Sequence, residues 1–220
     1  MYEANESRAL VVTNWHVVER SLGGDVQFSD GQWRRIDELV GVDFFSDLAV
    51  LSVEDPPGNV SALPVASDRL DQGEEVVAFG SPLGLEGSIT RGIVSAVNRS
   101  LAVQNRTIAD AVQIDTPISP GSSGGPLVDC GGDVVGVNFA GVAGEDVNFA
   151  ISSAMVRQVV PAIVENGTYN HSYLGVRGVT LSPTMARVNG LNRSQGVLVV
   201  STVAGAPASI VLRGAPRLSA

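Results

Sequence analysis

The sequence contains no lysine, and all 14 basic residues among its 220 are arginines. This absence excludes a phosphate-binding loop that ends in Gly-Lys, and it excludes a lysine that forms a Schiff base with a carbonyl substrate. The formal net charge is −9 at pH 7. Because an acidic surface repels the phosphates of DNA and RNA, we expect no nucleic-acid partner.

Cysteine and histidine are also scarce, with a single Cys130 and two histidines, His16 and His171. One cysteine cannot form an internal disulfide, and this set is too small for a Cys/His zinc cluster. We therefore expect no metal and no other cofactor. Any mechanism that needs an imidazole has only these two candidates.

Long hydrophobic runs are missing as well, although 44% of the residues are hydrophobic. No uncharged apolar run reaches the roughly 18 residues that a membrane-spanning helix needs. The residues that follow Met1 contain no basic segment with a cleavable apolar segment behind it. We therefore expect no signal peptide in this chain.

One motif is much more frequent than expected, the N-x-[ST] sequon. Chance predicts about one or two sequons in a chain of this composition, but seven of the 11 asparagines lie in one: Asn5, Asn59, Asn98, Asn105, Asn166, Asn170 and Asn192. We expect all seven in loops. Two interpretations stay open, polar loops rich in Asn and Ser, or an extracytoplasmic, glycosylated protein.

Most of the first 150 residues have the pattern of short strands separated by turn residues. Runs of Val, Ile and Phe bounded by Gly, Pro, Asn and Asp predict all-β barrels or sandwiches. No amphipathic helix separates these runs, so a parallel α/β fold is disfavoured. Residues 55–74 hold three prolines and are the best candidate for a crossover between two halves.

A helix is predicted over about residues 152–166, because apolar residues recur at helical spacing between a serine cap and a terminal glycine. Pro161 should kink this helix or divide it into two short pieces. After a short linker, residues 173–220 begin a second strand-rich module that ends without a further strand or amphipathic helix.

Three residue types in this chain suit nucleophilic catalysis. His16 follows an apolar strand in "VVTNWHVVE", and Asp47 begins another in "FFSDLAVLSV", with Asp43 as a nearby rival. Alone, each has an ordinary structural explanation. The stretch "ISPGSSGGPLVD" (residues 118–129) is more specific, because a nucleophilic serine needs a tight turn whose main-chain N–H groups can bind an oxyanion. A plain Gly/Ser linker is the alternative.

The order His16, Asp47, Ser123 is one of the known chain orders of a Ser–His–Asp triad. Together, "TNWHVV", "SDLAVL", "GSPLGLEGSITRGIVSA" and "SPGSSGGPLVD" resemble the corresponding segments of HtrA/DegP-like serine proteases. The resemblance extends over roughly residues 8–210, since the predicted helix and "YLGV" are similar to that family's passage into a PDZ domain.

The resemblance implies a chymotrypsin/trypsin-like all-β fold with two six-stranded barrels, of which the first is shortened at its N-terminus. The protease domain would cover residues 1–168, with barrel one at about 1–60, barrel two at about 70–151 and the helix at about 152–166. A partial PDZ-like domain would cover residues 173–220. The helix that completes the peptide groove of such a domain is not recognisable, so peptide binding there is not predicted.

The resemblance also implies the site residues. His16 would be the general base, Asp47 would orient it, and Ser123 would attack the scissile carbonyl, with the N–H groups of Gly121 and Ser123 as the oxyanion hole. Ser122 would occupy a variable slot. Two further segments would bind substrate. One is a strand that pairs with an extended substrate, at Val137, Asn138 and Phe139. The other is the far wall of the primary pocket, at Asn148, Phe149 and Ala150.

The activity that follows is a serine endopeptidase that cleaves unfolded or damaged proteins through an acyl-enzyme. The alternative is a protease-like chaperone or binding scaffold with impaired catalysis. Related proteins are trimers, so a homo-oligomer is compatible with the resemblance. Because Asp115 is the sole acidic residue shortly before Ser123, we expect cleavage after small or medium apolar residues. We expect Cys130 to be buried and His171 to lie on the surface.

Overall fold

The computed structural model describes residues 1–81, 87–103, 106–141 and 147–212. These residues form two compact units that divide between Tyr169 and Asn170. The first unit contains two β-assemblies and a long helix.

The first β-assembly is an open sheet with a separate hairpin. Its elements are β1 (Glu3–Ala4), β2 (Arg8–Asn14), α1 (Trp15–Val18), β3 (Asp25–Gln27), β4 (Trp33–Arg35), β5 (Glu38–Asp43) and β6 (Leu48–Glu54). The sheet is antiparallel in the order β1-β2-β6-β5, and β3 pairs with β4 alone. The sequence predicts a shortened barrel over about residues 1–60. Among the described residues these strands form an open sheet instead, because the edge strands β1 and β5 do not pair with each other.

The second β-assembly closes completely. It contains β7 (Glu75–Gly80), β8 (Ser88–Val103), β9 (Arg106–Ile114), β10 (Pro126–Val128), β11 (Val134–Gly141) and β12 (Asn148–Ser152). These strands form a barrel in the order β10-β11-β12-β9-β8-β7, in which β10 also pairs with β7. Its interior is an apolar cluster that includes Val76, Val94, Ile114 and Leu127. This barrel agrees with the six-stranded barrel that the sequence predicts.

A second apolar cluster joins the two β-assemblies to α2 (Ser153–Asn166). The helix contributes four residues at helical spacing, namely Val156, Val159, Val160 and Ile163. Ser152 caps its first turn by accepting the N–H of Met155 at 3.2 Å, and Gly167 ends it with φ of 76°. The two caps match the sequence prediction, because Ser and Gly are the residues that these positions favour.

Pro161 does not divide this helix, which is continuous from Ser153 to Asn166. Proline lacks the N–H that would bond the carbonyl of Arg157, but Pro161 lies on the exposed face, where water can take that place. The expectation of loops at all seven sequons is also wrong in part. Asn98 lies within β8 with φ of 55°, and Asn166 is the last residue of α2.

The second unit contains β13 (Val176–Thr180), α3 (Pro183–Val188), β14 (Val197–Thr202) and α4 (Pro207–Val211). The two strands pair antiparallel, with a register shift between Arg177 and Gly178. The sequence predicts no further strand or amphipathic helix at the end of the chain. Residues 213–220, on which this prediction falls, lie outside the described residues. Across the described ranges, no helix has the length and apolar character that a membrane span requires.

Candidate active site

His16 and Asp47 form a close pair at one end of the open sheet. Strand β2 ends at Asn14, and α1 begins with Trp15 and His16. The imidazole Nδ1 of His16 lies 2.6 Å from Oδ2 of Asp47, and the main-chain N–H of His16 donates to Oδ1 of the same carboxylate at 3.1 Å. Asp47 is fully buried, whereas 35% of the His16 side chain is exposed. The imidazole is thus held on one edge and open on the other.

Asp47 occupies a turn that has a left-handed backbone conformation, with φ of 58°. Such a φ is uncommon outside glycine, and aspartate is one of the residues that tolerate it. The main-chain carbonyl of Asp47 accepts the N–H of Trp15 at 3.0 Å and the Nδ2 of Asn14 at 3.2 Å. The turn is therefore bonded to the end of β2 by both main chain and side chain.

The rival Asp43 serves the turn itself. Its Oδ2 accepts the N–H of Ser46 at 2.9 Å, and its side chain is buried. Of the two aspartates, the structure brings Asp47 to His16.

The glycine-rich turn at residues 119–125 is held by a main-chain hydrogen bond and depends on its glycines. Within it, the N–H of Ser122 donates to the carbonyl of Ser119 at 2.9 Å. Gly121 and Gly124 have φ of 101° and 84°, and a Cβ on Gly124 would collide with Oγ1 of Thr13. Glycine is required at Gly124 for both reasons.

Ser123 donates its hydroxyl hydrogen to the main-chain carbonyl of Phe139, with Oγ and O 2.9 Å apart. That carbonyl is available because β11 shifts register against β12 between Asn138 and Ala140, so that Phe139 has no partner across the strands. The ring of Phe139 in turn meets the ring of His16 edge-on at 5.6 Å. Ser123 and His16 therefore both contact Phe139, and the serine hydrogen is directed to its carbonyl instead of to the imidazole.

The two N–H groups proposed for the oxyanion hole belong to Gly121 and Ser123. Within the ranges that the structure describes, neither donates to a protein acceptor. The N–H of Ser122 between them is already occupied by Ser119. The turn thus leaves uncommitted the two donors that the sequence resemblance implies.

The substrate strand predicted from the sequence is β11, but most of it is already paired. Val137 lies opposite Pro126 on one side and Ile151 on the other. Asn138 exchanges main-chain hydrogen bonds with the turn, donating to Gly125 and accepting from Gly124 at 2.9 Å each. An additional strand can therefore meet β11 only from Phe139 onward.

The other predicted substrate residues lie on β12, which pairs with β11 and β9. Ala150 is fully buried in the interior of the closed barrel, and Asn148 is 6% exposed. Phe149 packs against the cluster between the β-assemblies. Whether Asn148, Phe149 and Ala150 line a pocket stays a prediction.

Arg106 is a residue at this site that the sequence did not single out. Its Nη2 donates to Oδ1 of Asp47 at 2.7 Å, and its Nη1 donates to the carbonyl of Phe44. The guanidinium lies over the rings of Phe44 and Trp15, at 4.4 Å and 5.3 Å from their centroids. Only 4% of this side chain is exposed. Arg106 begins β9 and stands 59 residues after Asp47, so no local motif marks it.

Two minor predictions concern residues away from this site. Cys130 is exposed, so its expected burial is wrong. The cause is that β10 ends at Val128, and Cys130 stands in a turn whose Asp129 Oδ1 accepts the N–H groups of Gly131 and Asp133. His171 is exposed, as expected. Among the residues described, no group of three His, Cys, Asp or Glu side chains could hold a metal ion.

Comparison with known proteins gives the same family for most of the chain. Residues 3–137 match the family of the trypsin-like peptidase domain. The serine protease HhoB of Synechocystis sp., named as putative, is 36% identical over 215 residues, which cover 90% of this chain and 50% of that protein. The periplasmic serine endoprotease DegP of Escherichia coli K12 is 37% identical over 198 residues, covering 87% of this chain and 41% of the relative.

A solved structure of the HtrA-type protease AlgW with a decapeptide is 32% identical, with a TM-score of 0.77, and covers 96% of this chain and 64% of that one. The fold is thus mostly β and trypsin-like. The chain spans about half or less of the length of these curated relatives. Family match, relatives and structure agree, and the chain belongs to the trypsin-like peptidase family as a protein of the HtrA/DegP type.

Proposed function

We propose that this protein is a serine endopeptidase in which Ser123 is the nucleophile, His16 the general base and Asp47 the residue that orients His16. The observation that carries the proposal is the 2.6 Å contact between Nδ1 of His16 and the fully buried carboxylate of Asp47. A buried carboxylate on Nδ1 fixes the tautomer that leaves Nε2 able to accept a proton.

The reaction begins when Ser123 leaves the carbonyl of Phe139 and turns its hydroxyl to Nε2 of His16. His16 takes the proton as Oγ bonds to the scissile carbonyl carbon, and Asp47 stabilises the imidazolium that results. The oxyanion accepts hydrogen bonds from the N–H groups of Gly121 and Ser123. His16 then returns the proton to the leaving amine, and water hydrolyses the acyl-enzyme by the same route.

Substrates of this enzyme are extended segments of unfolded or damaged proteins. Among the described residues, the part of β11 from Phe139 to Gly141 pairs with no strand other than β12, which supports this assignment, because an extended peptide can add there as a further strand. Asp115 is tied to β8 through its Oδ1, which accepts the N–H of Ile93 at 2.6 Å. We therefore propose cleavage after small or medium apolar residues. A peptide library cleaved mainly after arginine would contradict this preference.

Labelling with an organophosphonate tests the nucleophile. The folded protein should be labelled once, and Ser123→Ala should abolish both the labelling and the cleavage of an unfolded substrate. Ser122→Ala is the matched control, since its side chain sits one residue away in the same turn, and it should still be labelled. Labelling that survives in Ser123→Ala would refute the assignment.

A second function is supported by the hydrogen bond between Ser123 and Phe139. In the resting structure the Ser123 hydroxyl bonds a main-chain carbonyl and not His16, and this observation favours a protease-like scaffold that binds exposed chains without cutting them. A folded sample that binds an unfolded protein yet takes no phosphonate label would identify this function.

We also propose an extracytoplasmic location, because relatives such as DegP are periplasmic proteins. The division into a protease domain at residues 1–168 and a PDZ-like module at 173–220 stays part of the same proposal, as does a homo-oligomer. Sedimentation at several concentrations tests the oligomer, and limited proteolysis near Tyr169 and Asn170 tests the division.

A further inference from the structure

The described sequon asparagines differ from most of the other asparagines in exposure and in the hydrogen bonds of the side-chain nitrogen. Six sequon residues lie within the described ranges, and all are exposed: Asn5, Asn59, Asn98, Asn166, Asn170 and Asn192. Asn105 lies outside those ranges. Of the asparagines outside sequons, Asn14, Asn138 and Asn148 are buried.

Three of the four asparagines outside sequons donate the side-chain nitrogen Nδ2 to a main-chain carbonyl. Asn14 donates Nδ2 to the carbonyl of Asp47, Asn138 donates it to the carbonyl of Phe79 at 3.0 Å, and Asn189 donates it to the carbonyl of Met185 at 2.8 Å. None of the six described sequon asparagines donates Nδ2 to a group in the described part of the chain.

Asn5 illustrates the difference. Its Oδ1 accepts the main-chain N–H groups of Ser7 and Arg8 at 3.0 Å and 2.9 Å, and the hydroxyl of Ser7 at 3.0 Å. Only Oδ1 takes part, so Nδ2 is left for another bond. The residue that interacts with Asn5 here is Ser7, the third position of its sequon.

We propose that these exposed asparagines are acceptors of N-linked glycans. Nδ2 would bond to the anomeric carbon of a sugar carried on a lipid phosphate, and the carbon–oxygen bond to the phosphate would break. The lipid phosphate leaves with the electron pair, and the amide proton passes to a base of the transferase. A sevenfold use of the motif, where chance gives about one or two, agrees with selection for this modification.

Peptide mass spectrometry of the protein purified from its own organism tests the proposal. Sugar is expected on peptides that contain Asn5, Asn59 and the other exposed sequons, and none on the peptide of Asn189, which is exposed but outside a sequon. Ser7→Ala should remove the sugar from Asn5 while keeping the main-chain hydrogen bonds to its Oδ1. Asn5→Gln should also remove the sugar from this peptide, because it removes the acceptor nitrogen itself. Unmodified peptides at all six sites, or sugar that persists in Ser7→Ala, would overturn it.

A separate observation concerns Arg106 and rests on the proposed triad. The Oδ1 atom of Asp47 accepts two donors, Nη2 of Arg106 at 2.7 Å and the N–H of His16 at 3.1 Å. Oδ2 remains for the imidazole at 2.6 Å. Because both carboxylate oxygens are occupied, the plane of the carboxylate is fixed relative to His16.

Arg106 is itself held rigidly. Its planar group lies over Phe44 and near Trp15, and these two rings meet edge-on at 5.1 Å. Since Arg106 begins a strand of the closed barrel, while Asp47 lies in the open sheet, its hydrogen bond spans the two β-assemblies. We infer that Arg106 is a positioning residue, which aims the Asp47 carboxylate at His16 and offsets part of its charge.

The charged groups around His16 define what a variant should change. Asp47 contacts the imidazole directly and Arg106 acts on it through Asp47, while the carboxylate of Asp43 caps the turn at Ser46. Arg106→Met removes both the charge and the hydrogen-bond donor to Asp47, whereas Arg106→Lys keeps the charge but loses the planar group with its second donor. A positioning role therefore predicts a graded loss of kcat, larger in Arg106→Met and partly rescued in Arg106→Lys.

The measurement is the rate of phosphonate labelling, together with kcat and KM on a peptide substrate. Arg106→Lys should lower kcat about 10-fold and Arg106→Met about 100-fold with KM unchanged, since misaligned groups slow the chemical step. Arg8→Met is the control, because Arg8 bonds Oγ of Ser52 at 2.8 Å at the far end of β2. If the wild-type protein reacts with the phosphonate and Arg106→Lys keeps a kcat within twofold of it, the positioning role of Arg106 is wrong and the triad stands. If the wild-type protein does not react, the proposed triad is wrong.

Discussion

The open sheet carries His16 and Asp47, whereas the closed barrel carries Ser123. His16 and Asp47 are joined at 2.6 Å, although the edge strands of their sheet pair with no further strand among the described residues. Ser123 sits on the closed barrel, yet its hydroxyl bonds a main-chain carbonyl. Closure of a β-assembly therefore does not decide how a catalytic group is held. The turns at its ends do, through the left-handed Asp47 on one side and the bulge at Phe139 on the other.

The largest effect is expected from Asp47→Asn, which tests the pair that His16 and Asp47 form at the end of the open sheet. An asparagine can keep the main-chain bonds of the turn, but it cannot fix the same tautomer of His16 or stabilise the imidazolium. We expect kcat to fall about 10⁴-fold while the protein stays folded. Steady-state kinetics and circular dichroism would check this. A fall of less than tenfold in a folded variant would mean that Asp47 does not serve His16.

Leu127→Ala tests how far the closed barrel depends on its interior. Leu127 is fully buried there, and its loss should lower the free energy of unfolding by about 2–5 kcal/mol. Leu22→Ala is the control, because Leu22 is fully exposed in the first β-assembly and should change stability by less than about 0.5 kcal/mol. Urea unfolding measures both. Equal effects would contradict the assignment of Leu127 to the core.

Asn138→Ala tests the attachment of the serine turn to the barrel. The amide of Asn138 donates to the carbonyls of Phe79 and Pro126, at 3.0 Å and 3.3 Å, and truncation removes both of these part-buried hydrogen bonds. We expect a loss of about 1–3 kcal/mol of unfolding free energy and slower labelling of Ser123. Asn189→Ala removes an exposed amide bond and serves as the control. Unchanged labelling in Asn138→Ala would mean that the Asn138 side chain does not hold the serine turn in its reactive position.

Glu75 and Arg91 give the smallest expected effect, at the rim of the closed barrel. The hydrogen bond from Arg91 holds the pKa of Glu75 below its usual value. Because the folded pKa is lowered, any stabilisation is present at neutral pH and is lost as the pH falls through that pKa. Both side chains are exposed, 67% for Arg91 and 47% for Glu75, so solvent screens the pair. Glu75→Gln should lower Tm slightly at pH 7 and not at pH 3. A larger difference at pH 3 would reverse the sign of this argument.

Local patterns explain which parts of the fold were predictable from the sequence. Strands β2 and β6 are apolar runs between turn residues, and α2 has both of its caps in the sequence. Strand β5 has a weaker signal in the sequence, because "ELVGVD" is short, charged at both ends and broken by a glycine. Whether the first β-assembly is open or closed depends on whether its two edge strands pair with each other. The spacing of the strands along the sequence does not predict that pairing.

The site divides in the same way. His16, Asp47 and Ser123 stand in short motifs, and the resemblance to known proteases supplied their roles. Arg106 has no such motif, because its partner Asp47 is distant in sequence and only the packing of the closed barrel against the open sheet joins them. The burial of Cys130 was mispredicted because strand β10 ends two residues before it, and Cys130 lies in the turn that Asp129 begins.

The bulge at Phe139 has a consequence for the time course of catalysis. A hydrogen bond between neutral groups contributes roughly 0.5–1.5 kcal/mol net, so it favours the resting position of the Ser123 hydroxyl by a factor of roughly 2 to 12. Leaving that position needs only rotation about one side-chain bond, a motion far faster than typical turnover. The carbonyl of Phe139 therefore reduces the fraction of molecules ready to react by about one order of magnitude at most, without adding a slow step.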